Sequence, residues 1–279
     1  MAGDGAVVGA SSTKDHYAFG ESNAARRAFA GRTIDADLAF LVPFLKPGLS
    51  LVDCGCGGGG LAVQLSERLT PGEVVGFDQN GGAIEQAKQL AASVADARVR
   101  FFVASVYDAP LPQQHFDIAL FCGVLGHIPD PELALRHAFN VLKPGGVIAV
   151  RELAKNGDWA GGLHWETVEA VNQMHADDIA VSGGDPFIGR RMKSLLVAAG
   201  FERVDALPSF SPALSSVQAI GALFSRRLQE PDFVERVVKR GRHSADRLRE
   251  MAGEIARWMN DDSSIVGISE CTALGWKPQ

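Results

Sequence analysis

The sequence predicts an α/β fold built on a doubly wound parallel sheet, and three observations carry that prediction. Short apolar strands alternate with segments of helical period between residues 50 and 150. Residues 51–60, LVDCGCGGGG, pass from the end of a buried strand through a glycine loop into a helix with Leu61, Leu65 and Leu69 on one face. Asp53, Asp78, Ser105 and Cys122 all fall near the carboxyl ends of predicted strands, where open α/β sheets take their ligands.

The loop is the most informative stretch. Five glycines in six residues, 55–60, are costly in chain entropy unless something approaches the backbone closely. Gly55, Gly57 and Gly60 fit G-x-G-x-x-G, which alone is weak, and a tight β–α turn with no ligand is the plain alternative. Asp78 ends the next apolar strand, about 20 residues further on, the spacing at which a carboxylate accepts hydrogen bonds from ribose hydroxyls.

Composition sets the bounds. The chain of 279 residues is long enough for one large domain with an elaborated cap, and 46% hydrophobic residues supply a sizeable core. A net charge of −6 with no broad basic face argues against a nucleic-acid partner. Cys54, Cys56, Cys122 and Cys271 fit no zinc-ribbon or C-x-x-C spacing, so no metal is expected and reduced thiols in a cytoplasmic protein are. The start is small, polar and glycine-rich, with no signal-peptide pattern, and no apolar run reaches a membrane-spanning length.

In chain order, residues 1–47 read as a tail and helical cap. The tail carries Tyr17 and Phe19, followed by a helix from about Ser22 to Ala30. A second helix runs from about Ile34 to Leu45 and is ended by Pro47-Gly48. Tyr17 and Phe19 either anchor this segment or close over a ligand. Strands follow at about Ser50–Cys54, Val74–Asp78, Val99–Val103 and Phe116–Cys122, the last almost unbroken in its apolar run, as a strand covered on both faces is. Lys143-Pro144-Gly145-Gly146 reads as a turn before a strand at Val147–Val150. Beyond it lie helical insertions at about 154–187 and 212–260, a helix from Gly189 to Ala199, a strand at Phe201–Leu207, helices at Leu214–Leu228 and Asp232–Met259, and a last strand at Ile265–Cys271. The long charged helix would suit a homodimer contact. Its alternating arginines and acids read as a solvated face.

LVDCGCGGGG, the acidic strand end GFDQN, the run FDIALFCGVLGHIPD and the turn LKPGG together resemble the class I S-adenosylmethionine-dependent methyltransferases. The nearest branch is that of the ubiquinone/menaquinone-biosynthesis and natural-product enzymes. The resemblance is firm over about residues 48–155 and weaker at HYAFGES and GGDPFIGRRMKSLLVAAGF. It implies a Rossmann-like, seven-stranded sheet whose last strand is antiparallel, in a domain over residues 48–279. It implies that Asp53 and the backbone of Gly55, Cys56 and Gly57 meet the methionine part of S-adenosylmethionine. Asp78 would hold the ribose, Gln79, Ser105 and Val106 would border the adenine, and Cys122 and Gly123 would line the crevice. Ser105 stands where the family commonly carries an acidic residue.

The implied reaction transfers a methyl group to an oxygen, nitrogen or carbon nucleophile of a small acceptor, leaving S-adenosylhomocysteine. His127, after the fourth strand, is the candidate general base, and a backbone-bonded helix-start histidine is the equal alternative. Tyr17, Phe19, His164, Trp165 and Arg190 are candidates for acceptor binding, against ordinary packing or surface roles. An enzyme using the cofactor structurally, for cyclisation or another reaction, and a non-catalytic binding protein are the competing functions.

Overall fold

In a computed structural model of the chain, the residues described are 32–94, 98–212 and 214–279. The strands in chain order are β1 (Leu51–Cys54), β2 (Val74–Asp78), β3 (Val99–Val103), β4 (Phe116–Cys122), β5 (Leu142–Leu153), β6 (Trp159–Gly161), β7 (Glu202–Phe210), β8 (Ile265–Gly267) and β9 (Ser269–Trp276). The helices are α1 (Ile34–Asp37), α2 (Gly60–Leu69), α3 (Gly81–Ala92), α4 (Pro131–Val141), α5 (Trp165–Val181), α6 (Met192–Ala198), α7 (Val217–Arg227), α8 (Pro231–Lys239) and α9 (Ala245–Met259).

Seven strands form one sheet in the order β3-β2-β1-β4-β5-β9-β7. β1 to β5 are mutually parallel, and β9 runs antiparallel between β5 and β7. The sheet order reverses direction between β1 and β4, so a crevice opens beyond their carboxyl ends. The expected seven-stranded sheet with one antiparallel strand is therefore what the chain forms.

Side chains two residues apart along each strand share a face, and both faces are buried. Val52, Val75, Ala119, Phe121, Ile148 and Val150 pack under α4 and α6 with Leu135, Ala138, Leu195 and Leu196. Leu51, Val74, Ile118, Leu120, Val147 and Ala149 pack under α2 and α3 with Leu61, Leu65 and Ile84. Leu38 and Leu41 join this second core, so the described part of the N-terminal cap is continuous with the sheet layer. A third core holds the C-terminal insertions together, with Val171, Phe224, Phe233, Leu248, Ile255 and Trp258 from α5, α7, α8 and α9. The apolar stripe of α9 is thus buried within the chain.

Several element boundaries differ from expectation, each for a local reason. The helix expected over 34–45 stops at Asp37, whose carboxylate folds back to accept from the Thr33 N–H at 2.9 Å, and Pro43 then opens a separate 3-10 turn, Val42–Phe44. The LKPGG turn belongs to β5. Leu142 already pairs with Phe116, and a register slip follows before Ile118 meets Val147. The expected 232–259 helix is two helices. Gly241 takes φ +71° between them, and Ser244 caps α9 by accepting from the Arg247 N–H at 3.2 Å. The last strand is also two: β8 pairs with β6 in a small second sheet, and β9 alone continues to Trp276. The helix expected from Gly189 begins as a 3-10 turn, Ile188–Arg191. The Ser22–Ala30 helix, Tyr17 and Phe19 lie outside the described residues.

Candidate active site

The glycine loop joins β1 to α2 at the mouth of the crevice. The N–H groups of Gly55 and Cys56 both donate to the Phe77 carbonyl, at 2.8 and 2.9 Å, which binds the loop to the end of β2. Gly55, Gly57 and Gly59 all take positive φ (79°, 53° and 78°), where a side chain is strained. Their surroundings separate their roles. A Cβ on Gly55 would lie 2.6 Å from a Val124 methyl, and one on Gly59 would lie 2.7 Å from Ala87 and Phe101. Among the described residues, nothing lies within 4 Å of a Cβ on Gly57. Two glycines are therefore required by the packing of the protein itself, and of these three Gly57 is the one whose Cβ position no other described residue crowds.

Asp78 spans from β2 to this loop. Its carboxylate accepts from the Gly57 N–H at 3.0 Å through one oxygen and from the Asn80 N–H at 2.9 Å through the other. Burial raises its pKa, and these two backbone hydrogen bonds oppose the rise. Asn80 in turn caps α3, accepting from the Ala83 N–H at 3.1 Å. Gln79 is exposed beside it. Asp53 is buried at the end of β1, and its pKa is pushed up to about 7. Burial is the main cause, the Arg32 cation opposes it, and the Asp78 charge adds to it. Ser105 and Val106 are half-buried after β3. The Ser105 hydroxyl accepts from the Tyr107 N–H at 3.2 Å and so shapes the loop.

On the other side of the crevice, Cys122 is buried and its carbonyl accepts from Arg32 at 2.9 Å. Gly123 takes φ +72° and turns the chain out of β4. His127 follows on a 3-10 turn, Leu125–His127. Its pKa is lowered to about 4, chiefly by burial and then by the Lys155 and Arg32 cations. The expectation of an imidazole titrating near neutral pH is therefore corrected: at neutral pH His127 is uncharged.

Sequence reasoning missed five charged residues at this end of the sheet. Arg151 and Glu152 are consecutive in β5, point to opposite faces and are both buried. Arg151 lies 2.6 Å from Glu270 and 3.4 Å from Asp37 and donates to the Ser211 hydroxyl at 2.7 Å. Glu152 accepts backbone N–H groups from the turn after β4. Asp37 also lies 4.0 Å from Arg32. The signal was present: the apolar run Val147–Val150 ends abruptly in Arg-Glu, at the strand end where ligands are expected.

The remaining candidates stand apart. His164 accepts from Arg257 of α9 at 3.1 Å, a contact within the C-terminal cap, and Trp165 beside it is 38% exposed. Arg190 is exposed on the 3-10 turn before α6. Among the described residues no group of three or more His, Cys, Asp or Glu is arranged to hold a metal, and no helix is long and apolar enough to cross a membrane.

Known proteins resemble the chain in sequence and in fold. A family model described as a methyltransferase domain matches residues 45–196. A protein of Aspergillus luteorubrus named as a methyltransferase is 22% identical over 92% of this chain and 99% of its own length. A ubiquinone/menaquinone biosynthesis C-methyltransferase of Ectopseudomonas mendocina is 28% identical over 57% of this chain and 68% of its own. Against other curated relatives the chain spans about half of their length, 47% and 51% for two of them. Among solved structures, a Haemonchus contortus phosphoethanolamine N-methyltransferase in complex with phosphomonomethylethanolamine and S-adenosylhomocysteine has a TM-score of 0.57 at 19% identity, covering 95% of this chain and 58% of that one. With the family match running over more than half of its residues, and the glycine loop, Asp78 and the reversed β9 all in place, the chain belongs to the methyltransferase-domain family and shares the fold of the class I S-adenosylmethionine-dependent enzymes.

Proposed function

We propose that the protein transfers a methyl group from S-adenosylmethionine to an oxygen, nitrogen or carbon nucleophile of a small acceptor. The observation that carries this reading is the latch between Asp78 and Gly57, a position that no other described residue crowds: a carboxylate and bare backbone meet at one end of the crevice. These residues fit the cofactor. Gly55, Cys56 and Gly57 would border its methionine part, with Asp53 behind them. Asp78 retains accepting capacity for a ribose diol beyond its two backbone bonds. Gln79, Ser105 and Val106 would border the adenine, and Cys122 and Gly123 would close the far wall. When bound, the cofactor supplies an activated methyl on a sulfonium, open to in-line displacement.

The chain's own part is alignment and exclusion of water. The uncharged His127 ring can accept a hydrogen bond from the acceptor and orient it. With a pKa of about 4 it holds a proton poorly, so the acceptor's proton goes to bulk solvent, before the site closes or once it reopens. This suits an amine, or an oxygen or carbon acid that ionises readily. The cap of α5 and α7–α9 would cover the acceptor, and relatives acting on quinones bear on this choice of small molecule only by analogy.

Labelled S-adenosylmethionine incubated with phenols, amines and quinone precursors tests the proposal. Appearance of S-adenosylhomocysteine with a methylated acceptor is expected. Tight binding with no such product from any acceptor would favour a structural use of the cofactor. Replacement of His127 by Ala should lower turnover while leaving cofactor affinity near its original value.

A further inference from the structure

Three consecutive backbone N–H groups, those of Val124, Leu125 and Gly126, converge on one side chain. Glu152 accepts the first two through Oε1, both at 2.7 Å, and the third through Oε2 at 3.3 Å. The carboxylate is 2% exposed, at the end of β5 on the face toward α4 and α6. A buried carboxylate is costly unless its charge is met, and here the backbone of a turn meets it. The same turn is fixed at both ends. The Gly123 N–H donates to the Arg151 carbonyl at 2.8 Å, and the Gly126 carbonyl accepts from the Asp185 N–H at 3.0 Å.

The turn lies between the two halves of the site. At its start, Val124 fills the space over Gly55, so tightly that no Cβ fits between them. At its end is His127, whose N–H donates to the Val124 carbonyl at 3.0 Å. The N–H groups of the turn are directed inward to Glu152, so its backbone cannot shift without breaking them. We propose that Glu152 is a positioning residue: its carboxylate sets the 123–127 turn from beneath, and so fixes together how Val124 seats on the glycine loop and where His127 stands. The inference deepens the methyltransferase reading above and rests on it for the role of the site, but the geometry it claims can be tested without a ligand.

The experiment uses the full chain, with S-adenosylhomocysteine as the probe. In the unsubstituted protein, amide exchange at Val124 and Leu125 should be strongly retarded. Rapid exchange there would overturn the proposal whatever the variants do. Glu152→Gln keeps one carbonyl oxygen for Val124 and Leu125 but turns the amide NH2, a donor, toward the Gly126 N–H. Exchange over 124–126 should rise about 10-fold or more, and affinity for the probe should fall roughly 3- to 10-fold, with the thermal midpoint little changed. Glu152→Asp, which keeps the charge but is one methylene shorter, should recover part of the affinity. Glu270→Gln, which alters a buried carboxylate beside Arg151, should lower the midpoint and leave exchange at 124–126 as it was. If Glu152→Gln lowers the midpoint while leaving probe affinity and local exchange unchanged, Glu152 is a core residue only. If the unsubstituted protein binds no S-adenosylhomocysteine, the function proposed above fails instead, and the exchange data still decide on Glu152.

Discussion

Two buried carboxylates, one in the cap and one in the crevice, are treated in opposite ways. In the cap, Asp178 of α5 is surrounded by guanidinium groups. Arg236 reaches both of its oxygens, at 2.9 and 2.8 Å, Arg227 donates at 2.9 Å and Arg240 at 2.8 Å. Burial alone would raise its pKa, but the hydrogen bonds and charges of these arginines hold it below the usual carboxylate range. In the crevice, among the described residues, Arg32 is the cation that acts on Asp53 and Asp78 is a second carboxylate beside it, and the Asp53 pKa rises to about 7. The first charge is neutralised within the chain and ties α5, α7 and α8 together. The second lies beside the glycine loop, and burial rather than ion pairing sets its protonation. The contrast separates a structural ion cluster from the candidate site better than burial does, since both carboxylates are buried.

The largest expected effect is in the cap. Replacing Asp178 by Ala would leave three arginines facing one another and should cost about 3–5 kcal/mol in urea unfolding, with affinity for S-adenosylhomocysteine within about twofold of the original. A loss below about 1 kcal/mol, or a large loss of affinity, would erase the distinction drawn here. The Asp178 interaction stabilises fully above the unfolded pKa near 3.9 and is lost as pH falls through its lower folded value.

Asp53 should show the reverse pH sign. Because Asp53 is raised from 3.8 to about 7 on folding, the native state holds an extra proton on it between those values. Its contribution to stability should therefore decline as pH rises from about 4 to 7, by the order of 2–4 kcal/mol, and then level off. His127, lowered from 6.5 to about 4, contributes the opposite slope over the same range, so the Asp53 contribution is read as the difference between the unfolding curves of the unsubstituted protein and Asp53→Asn. An unchanged slope would mean that Asp53 is ionised throughout.

Asp78 sharpens the same side of the comparison. Its replacement by Ala removes the contact to Gly57 and the proposed ribose acceptor, and should weaken cofactor binding by about 2 kcal/mol in calorimetry. Equal affinity would contradict its assignment. The smallest effect belongs to His164. Its partner Arg257 is within the cap and the contact is exposed, so His164→Ala should change stability and cofactor affinity by less than about 0.5 kcal/mol.

The parts of the site that were legible in the sequence are those made by neighbours along the chain. The loop Gly55–Gly60, the strand-end carboxylates Asp53 and Asp78, and the turn at Gly123 each lie within a few residues of the strand that presents them. Short-range periodicity and glycine content report such features directly. The break at Gly241 was missed, because helical period on both sides obscured a glycine followed three residues later by a capping serine.

What local pattern could not reveal are the contacts that join distant segments. Glu152 meets Val124 across 28 positions, Arg32 meets Cys122 across 90, and the Asp178 cluster draws on arginines up to 62 residues away. Even the glycines of the loop have their reasons assigned by the fold, since Gly55 yields to Val124 while no described residue crowds Gly57. Alternation and turn chemistry depend on a residue and its near neighbours, so they specify strands, loops and their order. The charge state of Asp53, the neutrality of His127 and the support of the 123–127 turn depend on burial and on charges brought together by packing, and these exist only once the layers have closed.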